Sequence, residues 1–201
     1  MGYTDQEIAK LKELHGPDLY LFELKDIYMV AKKPESDNIK IAAEMHAQKD
    51  ASWGSYLLHH SLVGLDELDL KRSKDGIAQV NQIDPRYLDI WGTQLSKQIG
   101  FSATVRKSQK RPDGQHDLFL EIAEEKVTVT VKQLPQAQWK EARDLIANDK
   151  DNEAFVRAFH VCCIEPSPTV LLDRYPGLPY SIGKILLGIG LEKDSLAPKK
   201  L

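Results

Sequence analysis

The chain has 201 residues, of which 42% are apolar and 28% charged, with 27 Lys and Arg set against 30 Asp and Glu. So much apolar content excludes a largely disordered chain, and the length admits one large domain or two small ones. A formal net charge of −3 supplies no global field for a nucleic acid or an anionic membrane. The longest apolar run, Ile185-Leu186-Leu187-Gly188-Ile189-Gly190-Leu191, falls far short of the ~20 residues that cross a bilayer.

The chain opens on Thr4 and Glu7 at capping-box spacing, which predicts a helix over about residues 5–14. These first residues lack the basic and apolar regions of a secretory signal. The two cysteines, Cys162 and Cys163, are neighbours that seldom reach disulfide geometry. Both features lead to the expectation of a reducing, cytoplasmic location.

A hairpin follows, with Asp18 to Leu24 and Ile27 to Lys32 joined at Lys25-Asp26. After Pro34, Ile39, Ala42, Ala43 and His46 recur on one helix face, and Trp53 to Val63 reads as a mostly apolar helix. Glu67 to Gly76 reads as an exposed connection, and Asp84-Pro85 opens a third helix through Trp91 and Leu95 to Gly100. Phe101 to Arg106 alternates with the period of an extra strand, and Lys107 to Gly114 reads as a turn-rich loop.

The same order then returns. Asp117 to Ile122 and Val127 to Lys132 form a second hairpin around Glu124-Glu125, and an offset of about 101 places Pro34 on Pro135 and His59 on His160. Trp139, Ala142, Leu145 and Ile146 form the next amphipathic face, and Ala154 to Ile164 the next apolar helix. Pro166 and Pro168 stop that helix, and Asp173 to Pro176 leads into a last helix over Ile182 to Gly190. The expected fold is α+β, with two similar modules, each a β-hairpin followed by a small helical bundle. Its parts are an N-terminal helix (1–16), a first module (17–100), a linker or extra strand with a basic loop (101–116), a second module (117–193) and a tail (194–201).

Catalytic constellations are sparse. His160-Val161-Cys162-Cys163 and His59-His60 offer metal-binding side chains, but a closed zinc site needs four ligands at paired spacings that do not occur here. If the helix runs on, His160 and Cys163 share a face and Cys162 turns away, so the cysteines read as small core residues with His59 and His160 at the core's polar margin. No nucleophile elbow, phosphate loop or dinucleotide fingerprint is present, and Gly177, Gly183, Gly188 and Gly190 read as packing and capping glycines. The expectation is a protein with no catalytic residue, metal or cofactor. Arg106, Lys107, Lys110 and Arg111 form the one cation cluster. Without interleaved aromatic residues it reads as a solvated loop tip that blunts a sheet edge, so a nucleic-acid partner is not expected.

The lysine-then-proline ends of the hairpins (Lys32-Lys33-Pro34 and Lys132-Gln133-Leu134-Pro135), the apolar helix into Val161-Cys162-Cys163-Ile164, and the tyrosine-proline segment before a Leu-Ile-Gly-rich helix resemble the small tail assembly chaperones of long-tailed bacteriophages. The resemblance spans residues about 18–100 and again 117–191. It implies a non-enzymatic protein that coats an apolar, helical tape-measure protein, or binds a tail subunit, while the tail polymerises. Such a role needs an apolar surface renewed in each module, and Trp53, Tyr56, Trp91, Trp139 and Tyr180 are its candidate binding residues, with core membership the alternative for each. Two other functions stay open: a structural virion component that adds strands to its neighbours, and a metal or thiol enzyme centred on His160, Cys162 and Cys163. Self-association into a homo-oligomer also stays open, and no membrane partner is expected.

Overall fold

The computed structural model describes residues 3–24, 27–65 and 85–189. The chain divides into two compact units, Met1–Ile99 and Gly100–Leu201. Both are α+β.

The first unit begins with α1 (Asp5–His15). The Thr4 amide donates to Glu7 Oε2 at 2.8 Å and the Glu7 amide returns a bond to Thr4 Oγ1 at 3.3 Å. Each side chain thus satisfies a donor that the first helical turn leaves free. The helix stops at Gly16, whose φ of 94° suits a residue without Cβ. It buries none of its side chains.

Strands β1 (Leu19–Leu24), β2 (Ile27–Lys32) and β3 (Leu62–Leu65) then form an antiparallel sheet in that order. Phe22 faces Met29 across the β1–β2 pair, and both are buried. Helices α2 (Ser36–Ala47), α3 (Trp53–Ser61) and α4 (Pro85–Gln98) complete the described part of the unit. Ile39, Ala42, Leu57, Leu58, Leu88, Trp91 and Leu95 are their main buried side chains. The predicted connection over Glu67 to Gly76 lies outside the described residues.

Strands β4 (Thr104–Lys110), β5 (His116–Ile122), β6 (Glu125–Val131) and β7 (Cys163–Glu165) make the second sheet, again in chain order. Helices α5 (Gln136–Ala147), α6 (Asp151–Cys162), α7 (Pro168–Arg174) and α8 (Leu178–Gly188) surround a core that includes Leu118, Leu120, Val129, Val131, Phe159, Leu171, Ile182 and Leu186. The extra strand is present, and it is longer than its alternating pattern suggested. Pairing of β4 with β5 continues to Lys110 opposite His116, so Arg106, Lys107 and Lys110 stand in a strand. The turn is confined to residues 111–115, and residues 101–116 belong to the second unit and do not form a linker.

Both apolar helices end earlier than their hydropathy indicates. Helix α3 stops at Ser61, whose buried hydroxyl donates to the Leu57 carbonyl at 2.7 Å, and Leu62 becomes extended and pairs with Ala31. Helix α6 stops at Cys162, and Cys163 pairs with Val131. Cys163 therefore does not share a helix face with His160. An apolar run reads alike as buried helix or buried strand, and the open edges of β2 and β6 decide the matter here.

The repeat extends to backbone detail, with offsets that drift along the chain. Helices α2 and α5 lie 100 residues apart, from Ser36 to Gln136 and from Ala47 to Ala147. Each ends through a left-handed residue, Lys49 at φ 60° and Asp149 at φ 58°. Each is closed by the next amide, Asp50 donating to the Met45 carbonyl at 2.9 Å and Lys150 to the Leu145 carbonyl at 3.0 Å. Over α3 and β3 the offset is 101, since Leu62 and Cys163 open the equivalent strands β3 and β7. In the final pair Gly92 of α4 lies against Gly54, and Gly183 of α8 lies against Phe155, which is the residue matching Gly54.

Candidate protein-binding surface

The five candidate binding residues fall on four helices. Trp91 is fully buried, with its ring 5.8 Å from that of Tyr87, and so belongs to the core and not to a docking surface. Gly92 beside it allows α4 to approach α3 closely at Gly54. The other four are half-buried. Trp53 meets the His46 ring edge-on at 5.1 Å. Tyr56 donates to Asn38 Oδ1 at 3.2 Å and lies 4.4 Å from the His60 ring. Trp139 packs on the second core with the Arg143 guanidinium 5.7 Å over its ring. Tyr180 lies on α8, 5.9 Å from the Phe101 ring. These positions do not repeat between modules: Tyr56 corresponds to Arg157, Trp139 to Ile39 and Tyr180 to Asp89.

Trp91 Nε1, Gln94 Oε1 and His59 Nε2 are buried in the first unit without a hydrogen-bond partner among the described residues. Burial holds the His59 imidazole below its usual pKa of 6.5, with the adjacent His60 adding to the effect. The folded state therefore favours neutral His59, and its contribution to stability is present above the unfolded pKa and lost as pH falls toward the lower folded one. Unfolding midpoints in urea should decline as pH drops below about 6.5, and His59→Asn should flatten that decline.

Cys162 and Cys163 are both free and buried. Desolvation pushes their thiols up to about 11 and about 12. A nucleophilic or metal-binding cysteine needs the thiolate, and burial here favours the thiol. Neither thiol should react with an aromatic disulfide reagent near neutral pH until denaturant is added, when both should titrate. No group of three or more His, Cys, Asp or Glu side chains able to hold a metal occurs among the described residues.

The cations of β4 and of the turn after it serve the sheet. Arg106 bonds Glu121 at 2.6 Å, Arg111 bonds Asp117 at 2.8 Å, and Lys107 sits 5.8 Å over the Phe119 ring. Asp117 also accepts a bond from the buried Thr130 hydroxyl at 2.9 Å. These hydrogen bonds, Arg111's foremost, hold the Asp117 carboxyl below its ordinary pKa. Strand β4 is thereby an edge covered in charge, with Lys107 and Lys110 in the strand and not in the loop expected for them.

The surface that departs most from the usual pattern is α8. Its sequence, Leu-Pro-Tyr-Ser-Ile-Gly-Lys-Ile-Leu-Leu-Gly, contains one charged residue, Lys184. Leu178, Ile182 and Leu186 repeat every fourth position and are fully buried, which fixes the inward face. Close packing of Gly183 on Phe155 locks the helix against α6. Ile185 is nevertheless 39% exposed, and Tyr180 and Leu187 are half-buried. A surface helix ordinarily carries charge on its outer face. Helix α4, its counterpart, does so: exposed Asp89 and Lys97 stand where α8 has Tyr180 and Gly188. Ile185 and Leu187 were legible in the sequence as members of the longest apolar run, but nothing local marks which side of that run is left open. No helix among the described residues is long and apolar enough to cross a membrane. Ile41 and Ile90 in the first unit and Ile146 in the second are further exposed aliphatic residues. No protein-family model, curated protein or solved structure matches the chain.

Proposed function

We propose that this chain is a non-enzymatic assembly chaperone or adaptor that holds an apolar helical partner, as the tail assembly chaperones it resembles hold a tape-measure protein. The outward face of α8 carries the reading. Tyr180 and Leu187 lie on one flank of its outer side and Ile185 on the other, with Lys184 between them, and they offer a partner helix apolar contacts and an aromatic anchor. Buried, protonated cysteines argue against the thiol-enzyme alternative. The experiment is coexpression with the long apolar helical proteins encoded beside it. Recovery of one of them in soluble complex is the expected result, and failure to bind or solubilise any of them contradicts the proposal. A chaperone should also leave the finished particle, whereas a structural component would remain in it at fixed stoichiometry.

A further inference from the structure

The two modules differ at one sheet edge. In the second module β4 covers β5, whereas in the first the equivalent strand, β1, has no strand on that side among the described residues. The pairings of Ala31 with Tyr20 and Leu62, and of Val131 with His116 and Cys163, place Leu21 on Asp117 and Glu23 on Phe119. The Arg111 amide bonds the Gln115 carbonyl, and alternation along the ladder then turns the amides and carbonyls of Asp117 and Phe119 toward β4. In β1 the Lys33 amide bonds the Asp18 carbonyl, so Leu21 and Glu23 turn theirs toward the open side. The residues before β1, where a counterpart of β4 would lie, form α1.

Natural sheets protect such edges with charge or by shortening them. Strand β4 carries Arg106, Lys107 and Lys110, and β3 and β7 have only four and three residues. Strand β1 has six residues, Leu-Tyr-Leu-Phe-Glu-Leu, with one acidic side chain, and Leu21 is 56% exposed. A basic strand and turn like those of β4 do not suit it, because Leu21 stands where β5 has Asp117, the partner of Arg111 in the turn that follows β4. A covering strand should set an apolar side chain against Leu21, and β1 itself does so across a two-fold axis.

We propose that β1 is the seam of a homodimer, in which the β1 strands of two copies pair antiparallel about Leu21. The two Leu21 residues exchange amide and carbonyl bonds, and each Glu23 amide reaches the Leu19 carbonyl of the other copy. The two three-stranded sheets join into one continuous sheet.

The test is sedimentation equilibrium on the full chain, with amide exchange followed by NMR. At about 100 μM the protein should be dimeric, with the Leu21 and Glu23 amides slowed about 100-fold relative to a dilute monomer. Leu21→Lys, which opposes two cations across the axis, should be monomeric with an unchanged circular dichroism spectrum. A monomeric wild-type chain, or a dimer that survives Leu21→Lys, overturns the proposal. So does protection of these amides in a monomer, which would mean that the chain covers its own edge. The exchange measurement needs no variant, so the test stands if Leu21→Lys fails to fold.

Discussion

Gly183→Ala should destabilise the protein more than any other single-methyl addition to a helix. The new Cβ would stand 2.2 Å from Phe155 Cβ and 2.7 Å from Phe155 Cα, at the crossing of α8 with α6. Those atoms cannot be moved by rotating a side chain, so the helices must separate. Overpacking of this kind costs about 1–3 kcal/mol, and more where backbone lies on both sides. Gly92→Ala should act the same way in the first module, since its Cβ would meet the Gly54 carbonyl oxygen at 2.5 Å. Gly188→Ala is the control: nothing lies within 4 Å of the added carbon. Replacing a helical glycine in open space should be neutral or stabilise by up to about 1 kcal/mol. Urea unfolding of the three variants checks the order.

Truncating the centres of the two cores should have a comparable or larger effect. Trp91 and Phe159 are both fully buried, and removal of a buried aromatic side chain to alanine costs about 3–5 kcal/mol. That is a large share of the ~5–15 kcal/mol by which a domain is usually stable. Trp91→Phe separates two contributions at the first site. It keeps most of the apolar volume and removes an indole N–H that has no acceptor among the described residues. Leaving such a donor unsatisfied costs about 1–3 kcal/mol, so Trp91→Phe should lose far less stability than Trp91→Ala. Equal losses in denaturant melts would mean that the indole nitrogen is in fact bonded.

What the sequence made legible was local. The capping box of Thr4 and Glu7 acts within one helical turn, and the hairpins announce themselves by runs of aliphatic and aromatic residues around short charged turns. The order of elements in the two modules could be read for the same reason. The switches from helix to strand at Ser61 and Cys162 could not, because Leu62 and Cys163 are extended through pairing with β2 and β6, which lie about thirty residues earlier. The offset of 101 holds over α3 and β3, where His59 matches His160, and not at β1, α2 or α4, because those elements are matched to β5, α5 and α8 by packing partners while insertions shift the numbering between them. Trp91 went to the core with Leu88 and Leu95, at the i, i+3, i+7 spacing of the buried face of α4, whereas the close approach of Gly92 to Gly54 is a contact between two helices that no periodicity within either one encodes. The open side of α8 was hidden in the opposite sense. A helix with one charge in eleven residues reads as enclosed, and its exposure at Ile185 is visible only once the inward face is fixed by Leu178, Ile182 and Leu186.

The claim that the outer face of α8 holds an apolar helical partner is tested most directly by solubility. The wild-type chain and a Tyr180→Ala/Ile185→Glu double variant are each coexpressed with a bound neighbour, and the soluble fraction of that neighbour is measured beside the thermal midpoint of each purified chain. The partner should precipitate with the variant while the variant itself stays folded. Equal soluble recovery with both chains would contradict the claim.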